Sequence, residues 1–375
     1  MDPLLQWAQK HQREVTSLIR QFVECESPSD SPADVARFLD LVAESGAGLA
    51  TPMKSRGALF LKFKLPGRNK SGRILALGHG DTVWPLGTLR TMKFREAEGR
   101  LWGPGVLDMK AGIAFFLFAM RAIRDLDLPV AKDVLLLVTP DEETGSRASR
   151  AVIEQTAKQS GCVLVLEPGT GLEGKVKTAR KGIGDFHLRV EGVAAHSGVD
   201  FEKGASAILE LARQIQHIGG FTSLMRGITV NPGVISGGTR SNVIAAEADA
   251  HIDIRVRRLR DAAILERKFQ RLKPFDKRCK LTITGGLNRP PMERTKAIAD
   301  LFRLARREAA ALGIDLQESS TGGGSDGNFT AALGIPTLDG VGAVGEGAHA
   351  SHESILTDRI ADRIALLAKL VIALS

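Results

Sequence analysis

The chain has no tyrosine among its 375 residues, so no phenol can act as acid, base or nucleophile in its chemistry. Cysteine is scarce: Cys25, Cys162 and Cys279 are far apart, odd in number and without C-x-x-C spacing. That excludes a disulfide framework and a thiolate metal cage, and it suits a cytoplasmic protein. No apolar run reaches the roughly 20 residues of a membrane-spanning helix. The most apolar one, "IALLAKLVIAL" near the C-terminus, contains Lys369 and reads as a buried helix. The start, "MDPLLQWAQKHQREVTSLIRQFVECES", lacks the basic beginning and unbroken apolar stretch of a secretory leader and reads as an amphipathic packing helix. Internal repeats and low-complexity tracts are absent as well.

What remains is ordinary globular material, 43% apolar and 25% charged, and long enough for two domains. The net charge of +8 is uneven, because residues 255–280 hold eleven Lys and Arg against three acids. This stretch reads first as a solvated helix face and second as an attractor of an anionic substrate. With no aromatic platform or recognised motif beside it, nucleic acid is not an expected partner.

Short apolar runs alternate with helical patterns in the first half: "RILALGHGD", "MKAGIAFFLFAMRAIRDL", "DVLLLVTPDEETGS", "ASRAVIEQTA" and "GCVLVLEP". Near-continuous apolar strands of this kind belong to a mostly parallel sheet covered on both faces, an α/β domain. From about residue 181 the strands alternate polar and apolar residues, with "GASAILELARQIQHI" and "DAAILERKFQRL" as helices between them. The expected organisation is therefore a catalytic domain formed by residues 1–180 and 291–375, with an inserted α+β domain over 181–290.

Polar groups gather at the ends of the predicted strands, where open α/β sheets place ligands. "GHGDT" offers His79 and Asp81, "GPGVLDMKAG" Asp108, "PDEETGS" Glu142 and Glu143, "LVLEP" Glu167, and "GEGAHASHES" His349, His352 and Glu353. Imidazoles and carboxylates without thiolate suit zinc and tolerate cobalt or manganese. Two ions could share Asp108, each completed by one His, one Glu and a common water. Adjacent side chains such as Glu142 and Glu143 point in different directions, so one can bind metal while the other faces the water.

In order along the chain, "HGDTVWPLGTL", "GPGVLDMKAG", "PDEETGS", "LEP", "ARKGIGDFHLRVEGVAAHSG", "NVI", "GGGSDGNF" and "GAHASHES" resemble the successive motifs of the M20 metallopeptidases. The form of the first motif is most similar to the glutamate carboxypeptidase (carboxypeptidase G) branch. The resemblance implies two zinc ions per subunit, one held by His79, Asp108 and Glu167, the other by Asp108, Glu143 and His349. It prefers His349 to His352 because the family's last motif has His four residues before Glu. It also implies Asp81 orienting His79, Glu142 as general base, and His196 of a partner subunit's inserted domain stabilising the oxyanion. The inserted domain would be a ferredoxin-like dimerisation and lid domain in a homodimer. Arg289, Asn242, Gly323 and, more weakly, Arg255 correspond to substrate contacts, with Arg289 holding a free carboxylate. Met109 stands where the carboxypeptidases often have a second Asp. The expected reaction is removal of a C-terminal amino acid, glutamate first, from peptides or N-acyl conjugates such as folates. Deacylation of acetylornithine- or succinyl-diaminopimelate-type substrates is the alternative within the same chemistry, and a non-catalytic metal-stabilised binding protein the alternative outside it.

Overall fold

The structure is a computed structural model that describes residues 2–67 and 71–375. It divides into two compact units: Met1–Ala179, Arg294–Ser320 and Ser325–Ser375 form the larger, and Arg180–Glu293 with Thr321–Gly324 the smaller. The glycine loop after Thr321, expected with the larger domain, thus groups with the smaller.

The larger unit is built on an eight-stranded sheet in the spatial order Ala50–Ser55, Ala58–Phe63, Asp133–Thr139, Arg73–His79, Cys162–Val165, Thr337–Asp339, Val176–Arg180, Glu318–Thr321. Its four central strands run parallel, while the hairpin on one flank and Val176–Arg180 on the other are antiparallel. Alternate residues of the central strands enter separate apolar clusters. Ile74, Ala76, Leu136 and Leu164 belong to one, and Leu75, Leu77, Leu137 and Val163 to the other. Burial on both faces explains why these strands read as unbroken apolar runs. Helix Ala111–Asp125 is buried along almost its whole length, and the last helix, Ile360–Ala373, is buried as expected. The N-terminal stretch forms two helices instead of one, Pro3–Lys10 and Gln12–Glu24, which meet at His11, whose ring stacks on Trp7 at 3.9 Å. None of the described helices is long and apolar enough to cross a membrane.

The smaller unit runs strand Gly182–Glu191, helix Ala207–Gly219, strands Thr229–Gly237 and Glu247–Val256, helix Leu259–Gln270 and strand Lys280–Arg289. The four strands are antiparallel, with the second and last on the outside and the first and third between them. This βαββαβ arrangement is ferredoxin-like. The strand Gly182–Glu191 alternates buried and more exposed positions, the pattern of a sheet covered by helices on one face only.

Candidate metal centre

Strand Arg73–His79 lies between its neighbours Asp133–Thr139 and Cys162–Val165, which follow it in the chain on opposite sides. The carboxyl ends at such a reversal leave a crevice, and the donors sit there. His79 closes its strand, Glu142 and Glu143 lie in the turn after Asp133–Thr139, and Glu167 lies two residues beyond Cys162–Val165. Asp108 belongs to an irregular turn, Val106–Lys110, entered through Gly105 at φ 72° and leaving helical geometry at Asp108 itself (φ −116°, ψ 95°). His349 is in the connection between Gly345–Glu346 and Ser354–Leu356.

The two oxygens of Asp108 face different imidazoles. Oδ1 is 3.2 Å from His79 Nε2, which also has Glu167 Oε1 at 3.7 Å. Oδ2 is 3.3 Å from His349 Nε2, whose other neighbour is Glu143 Oε1 at 3.2 Å. Donors on one tetrahedral ion with bonds of 2.0–2.1 Å are about 3.3 Å apart, so each of these four contacts is close to the separation of donors that share an ion. Donor atoms of His79, Asp108 and Glu143 also fall within 4.8 Å of one another. Glu143 Oε1 is buried without a well-formed hydrogen bond. His349 lies near enough for attraction but out of line, and an acceptor so placed is suited to a cation.

Protonation of the metal-free chain says the same. Burial would depress the His79 imidazole, yet its hydrogen bonds to Asp108 and Asp81 hold it well above the ordinary histidine value. The close carboxylates of Asp108 and Glu143 push His349 up to about 10. Burial would raise Asp108, but the bonds it accepts from His349 and His79 hold it far below the usual carboxylate range. The carboxylates demand positive charge, and the residues present fit two divalent ions.

Asp81 works differently from the expectation. It lies beyond the end of the strand, so it does not share a strand face with His79. The close contact of His79 Nδ1, at 2.9 Å, is the backbone carbonyl of Asp81, and the carboxylate is at 3.4 Å. That carboxylate instead accepts the backbone N–H groups of Glu142 (3.0 Å) and Glu143 (3.1 Å) and the Ser29 hydroxyl (2.8 Å). One residue therefore sets the His79 tautomer and holds the turn that carries both glutamates. Met109 packs beneath, its sulfur accepting the His79 N–H at 3.4 Å.

His352 is exposed, and His349 is the imidazole beside Asp108. Glu353, a ligand candidate by residue type, is fully buried and its carboxylate is taken up by N–H donors from Gly105, Leu107, Asp108 and Trp84. Among the carboxylates near the centre, Glu142 is half-buried and close enough for its charge to raise the His79 pKa.

The remaining candidates lie in the smaller unit in two groups. Arg289 and Arg255 flank Ile183 in register from the two neighbouring strands. Arg289 is buried, and a Cβ on Gly324 would come within 2.9 Å of its Cδ and 2.6 Å of Ile183 Cδ1, so a larger residue there would have to displace one of these side chains. The glycine loop is fixed by Arg180, whose Nη1 donates to the carbonyls of Gly323 (3.3 Å) and Gly324 (2.9 Å), and by Arg255 on the Gly322 carbonyl (3.3 Å). Arg180 lies in the "ARKGIGDF" stretch, but nothing in the sequence assigns it a role of its own, since these partners are backbone atoms more than 140 residues away. His196 and Asn242 are exposed together at the other end of the strand: Ser197 N–H donates to the Asn242 carbonyl at 3.1 Å, and His196 pairs with Val243. From Ile183 to Glu191 the strand alone spans roughly 27 Å.

The family model for peptidase family M20/M25/M40 matches residues 75–373. Carboxypeptidase G2 of Pseudomonas sp. (strain RS-16) is 28% identical over 386 aligned positions, covering 99% of this chain and 92% of the relative. In fold the chain is similar to the aminopeptidase PepT of Bacillus cereus (TM-score 0.80, 20% identity, 96% and 98% of the two chains). It is also similar to a dinuclear metal binding M20 peptidase of Bacillus subtilis (TM-score 0.68, 12% identity, 98% and 99%). With a family match over most of its length and a histidine–carboxylate cluster at the expected strand ends, this chain belongs to peptidase family M20/M25/M40 and is a metallopeptidase.

Proposed function

We propose that the protein is a dinuclear-zinc carboxypeptidase that hydrolyses the amide bond to a C-terminal glutamate in peptides or N-acyl conjugates such as folates. The observation that carries this reading is the two-sided Asp108, each oxygen facing its own imidazole and carboxylate. His79, Asp108 and Glu167 would hold one ion, and Asp108, Glu143 and His349 the other. Zinc suits this thiolate-free set, with cobalt and manganese as tolerated substitutes. Bound there, such ions polarise the scissile carbonyl and acidify water.

The chain's own groups divide the remaining work. Glu142, held by its backbone on Asp81, takes the proton of the attacking water and returns it to the departing amine. Arg289 receives the substrate carboxylate bidentately, a geometry lysine cannot match. Gly323, Asn242 and Arg255 complete substrate contact. The glutamate preference rests on the similarity of "HGDTVWPLGTL" to the first motif of the glutamate carboxypeptidase branch.

His196 donates to the developing oxyanion, in trans. The support is the separation within the smaller unit: groups roughly 27 Å apart along one strand do not reach the same scissile bond, so His196 serves a second copy. Ile208 and Leu209 on helix Ala207–Gly219 and Val234 and Ile235 on the edge strand Thr229–Gly237 are exposed. An apolar helix face beside an open strand edge suits a homodimer.

The test is amino-acid release from peptidyl and N-acyl substrates ending in Glu, Asp, Leu, Lys or Arg, with chelator controls. Chelator-sensitive preference for terminal Glu is expected. Turnover of small acetyl or succinyl amides alone would assign the protein to deacylation, and none at all would overturn the catalytic reading.

A further inference from the structure

Glu353 touches no metal donor atom, yet it joins two of the segments that carry them. We infer that Glu353 is a positioning residue that sets the Asp108–His349 spacing and thereby the affinity of the dinuclear centre, an inference that rests on the metal assignment above. Its Oε1 accepts the backbone N–H groups of Leu107 (2.9 Å) and Asp108 (3.1 Å), and its Oε2 accepts those of Gly105 (2.9 Å) and the Trp84 indole (2.8 Å). The irregular backbone of this turn gives these amides no regular helical acceptors, and a fully buried carboxylate takes their place.

The same residue belongs to the segment that carries His349. From Gly347 the chain turns back through Ala350 N–H to the Gly347 carbonyl (2.8 Å) and Glu353 N–H to the Ala350 carbonyl (2.9 Å). Beyond it, Ser354–Leu356 pairs with Arg100–Trp102, the strand leading into the Asp108 turn. Glu353 is thus the point where the His349 segment and the Asp108 turn are tied to each other, four residues from one donor and hydrogen-bonded to the other. Fixing two donors from behind lowers the ordering needed when an ion binds, the way outer groups raise metal affinity.

Glu353→Gln keeps the size but replaces one acceptor oxygen with an NH2 that meets two N–H donors, so one pair of bonds becomes repulsive. Cobalt(II) titration of the metal-free protein, followed by visible absorption, counts the ions and their affinities. The wild type is expected to take up two equivalents, and Glu353→Gln to bind the weaker one at least tenfold less tightly, with the metal-free variant folded at the temperature of the titration although its thermal midpoint is lower. A folded Glu353→Gln that takes up both equivalents with wild-type affinity would overturn the inference. If Glu353→Gln does not fold, Glu353→Asp, which keeps the charge but shortens the reach, is expected to show the same weakening, and a folded Glu353→Asp with unchanged affinities would overturn it equally. A wild type that takes up no cobalt would instead overturn the metal assignment, and this inference with it.

Discussion

In the larger unit, residues drawn from five separate stretches of sequence converge until donor atoms are 3.2–3.7 Å apart. In the smaller unit, five residues from a comparable number of stretches divide into two groups at opposite ends of a strand. The first arrangement needs one folded unit, because a metal shell tolerates only short donor separations. The second leaves the residues proposed for substrate recognition and oxyanion stabilisation at separate places along one strand. If those proposed roles hold, the metal centre is complete in one folded unit and the oxyanion donor comes from a second copy.

The sharpest way to break this comparison is to remove the proposed base, Glu142, beside the convergent set. Glu142→Gln is expected to lower kcat by about 10²–10⁴-fold while the metal content stays at the wild-type value. Full activity in that variant would remove Glu142 from the mechanism. Next in size, Arg289→Ala should lower kcat/KM about 10–100-fold, the loss of a charge-assisted hydrogen bond worth about 1.5–3 kcal/mol. An unchanged kcat/KM would remove carboxylate binding from Arg289.

Mixing two inactive variants tests the distributed set. In a hybrid of His196→Ala and Glu142→Gln, one of the two sites keeps both groups if His196 acts in trans. Random exchange should then restore about a quarter of wild-type turnover. No recovery after confirmed exchange would place His196 and Glu142 in the same copy's site.

The smallest effect is thermodynamic and leaves turnover alone. His349 has its pKa raised to about 10 by Asp108 and Glu143, and His79 is also raised. The His349 ring is therefore protonated in the metal-free chain near pH 8, and both rings must be neutral to bind. Loading near pH 8 should release at least one proton per chain, from His349, with any further release coming from His79, and less as pH rises through 10. Calorimetry in buffers of different ionisation enthalpy measures this, and proton-free uptake would exclude the imidazoles as donors.

Much of the convergent set was legible in the sequence because His79, Glu143 and Glu167 sit at or just past apolar runs that form buried strands and Asp108 just before one that forms a buried helix. "RILALGH", "DVLLLVT" and "CVLV" mark their strand ends by composition alone, and His79, Glu143 and Glu167 follow within a few residues. What was not legible was backbone hydrogen bonding across long stretches of chain. The Asp81 carboxylate was expected on the His79 ring and is found mainly on the amides of Glu142 and Glu143, because the strand ends before Asp81 and the side-chain alternation ends with it. Glu353 reads as a ligand candidate by residue type alone. Its partners at Gly105, Leu107 and Asp108 lie about 245 residues earlier and offer only N–H groups, which leave no mark on residue identity. The flanking hairpin Ala50–Phe63 escaped for a related reason: Ala50–Ser55 lies at the edge of the sheet with most of its side chains exposed, so it lacks the apolar signature of the central strands.

The position of Thr337–Asp339 between Cys162–Val165 and Val176–Arg180 has a consequence for synthesis. A ribosome that has released the first 293 residues has made all four strands and both helices of the smaller unit. The larger sheet still has a gap in its interior, which closes only when the chain has passed residue 339. The inserted unit can therefore complete its own sheet first, while the unit that surrounds it in sequence waits with an unpaired strand edge.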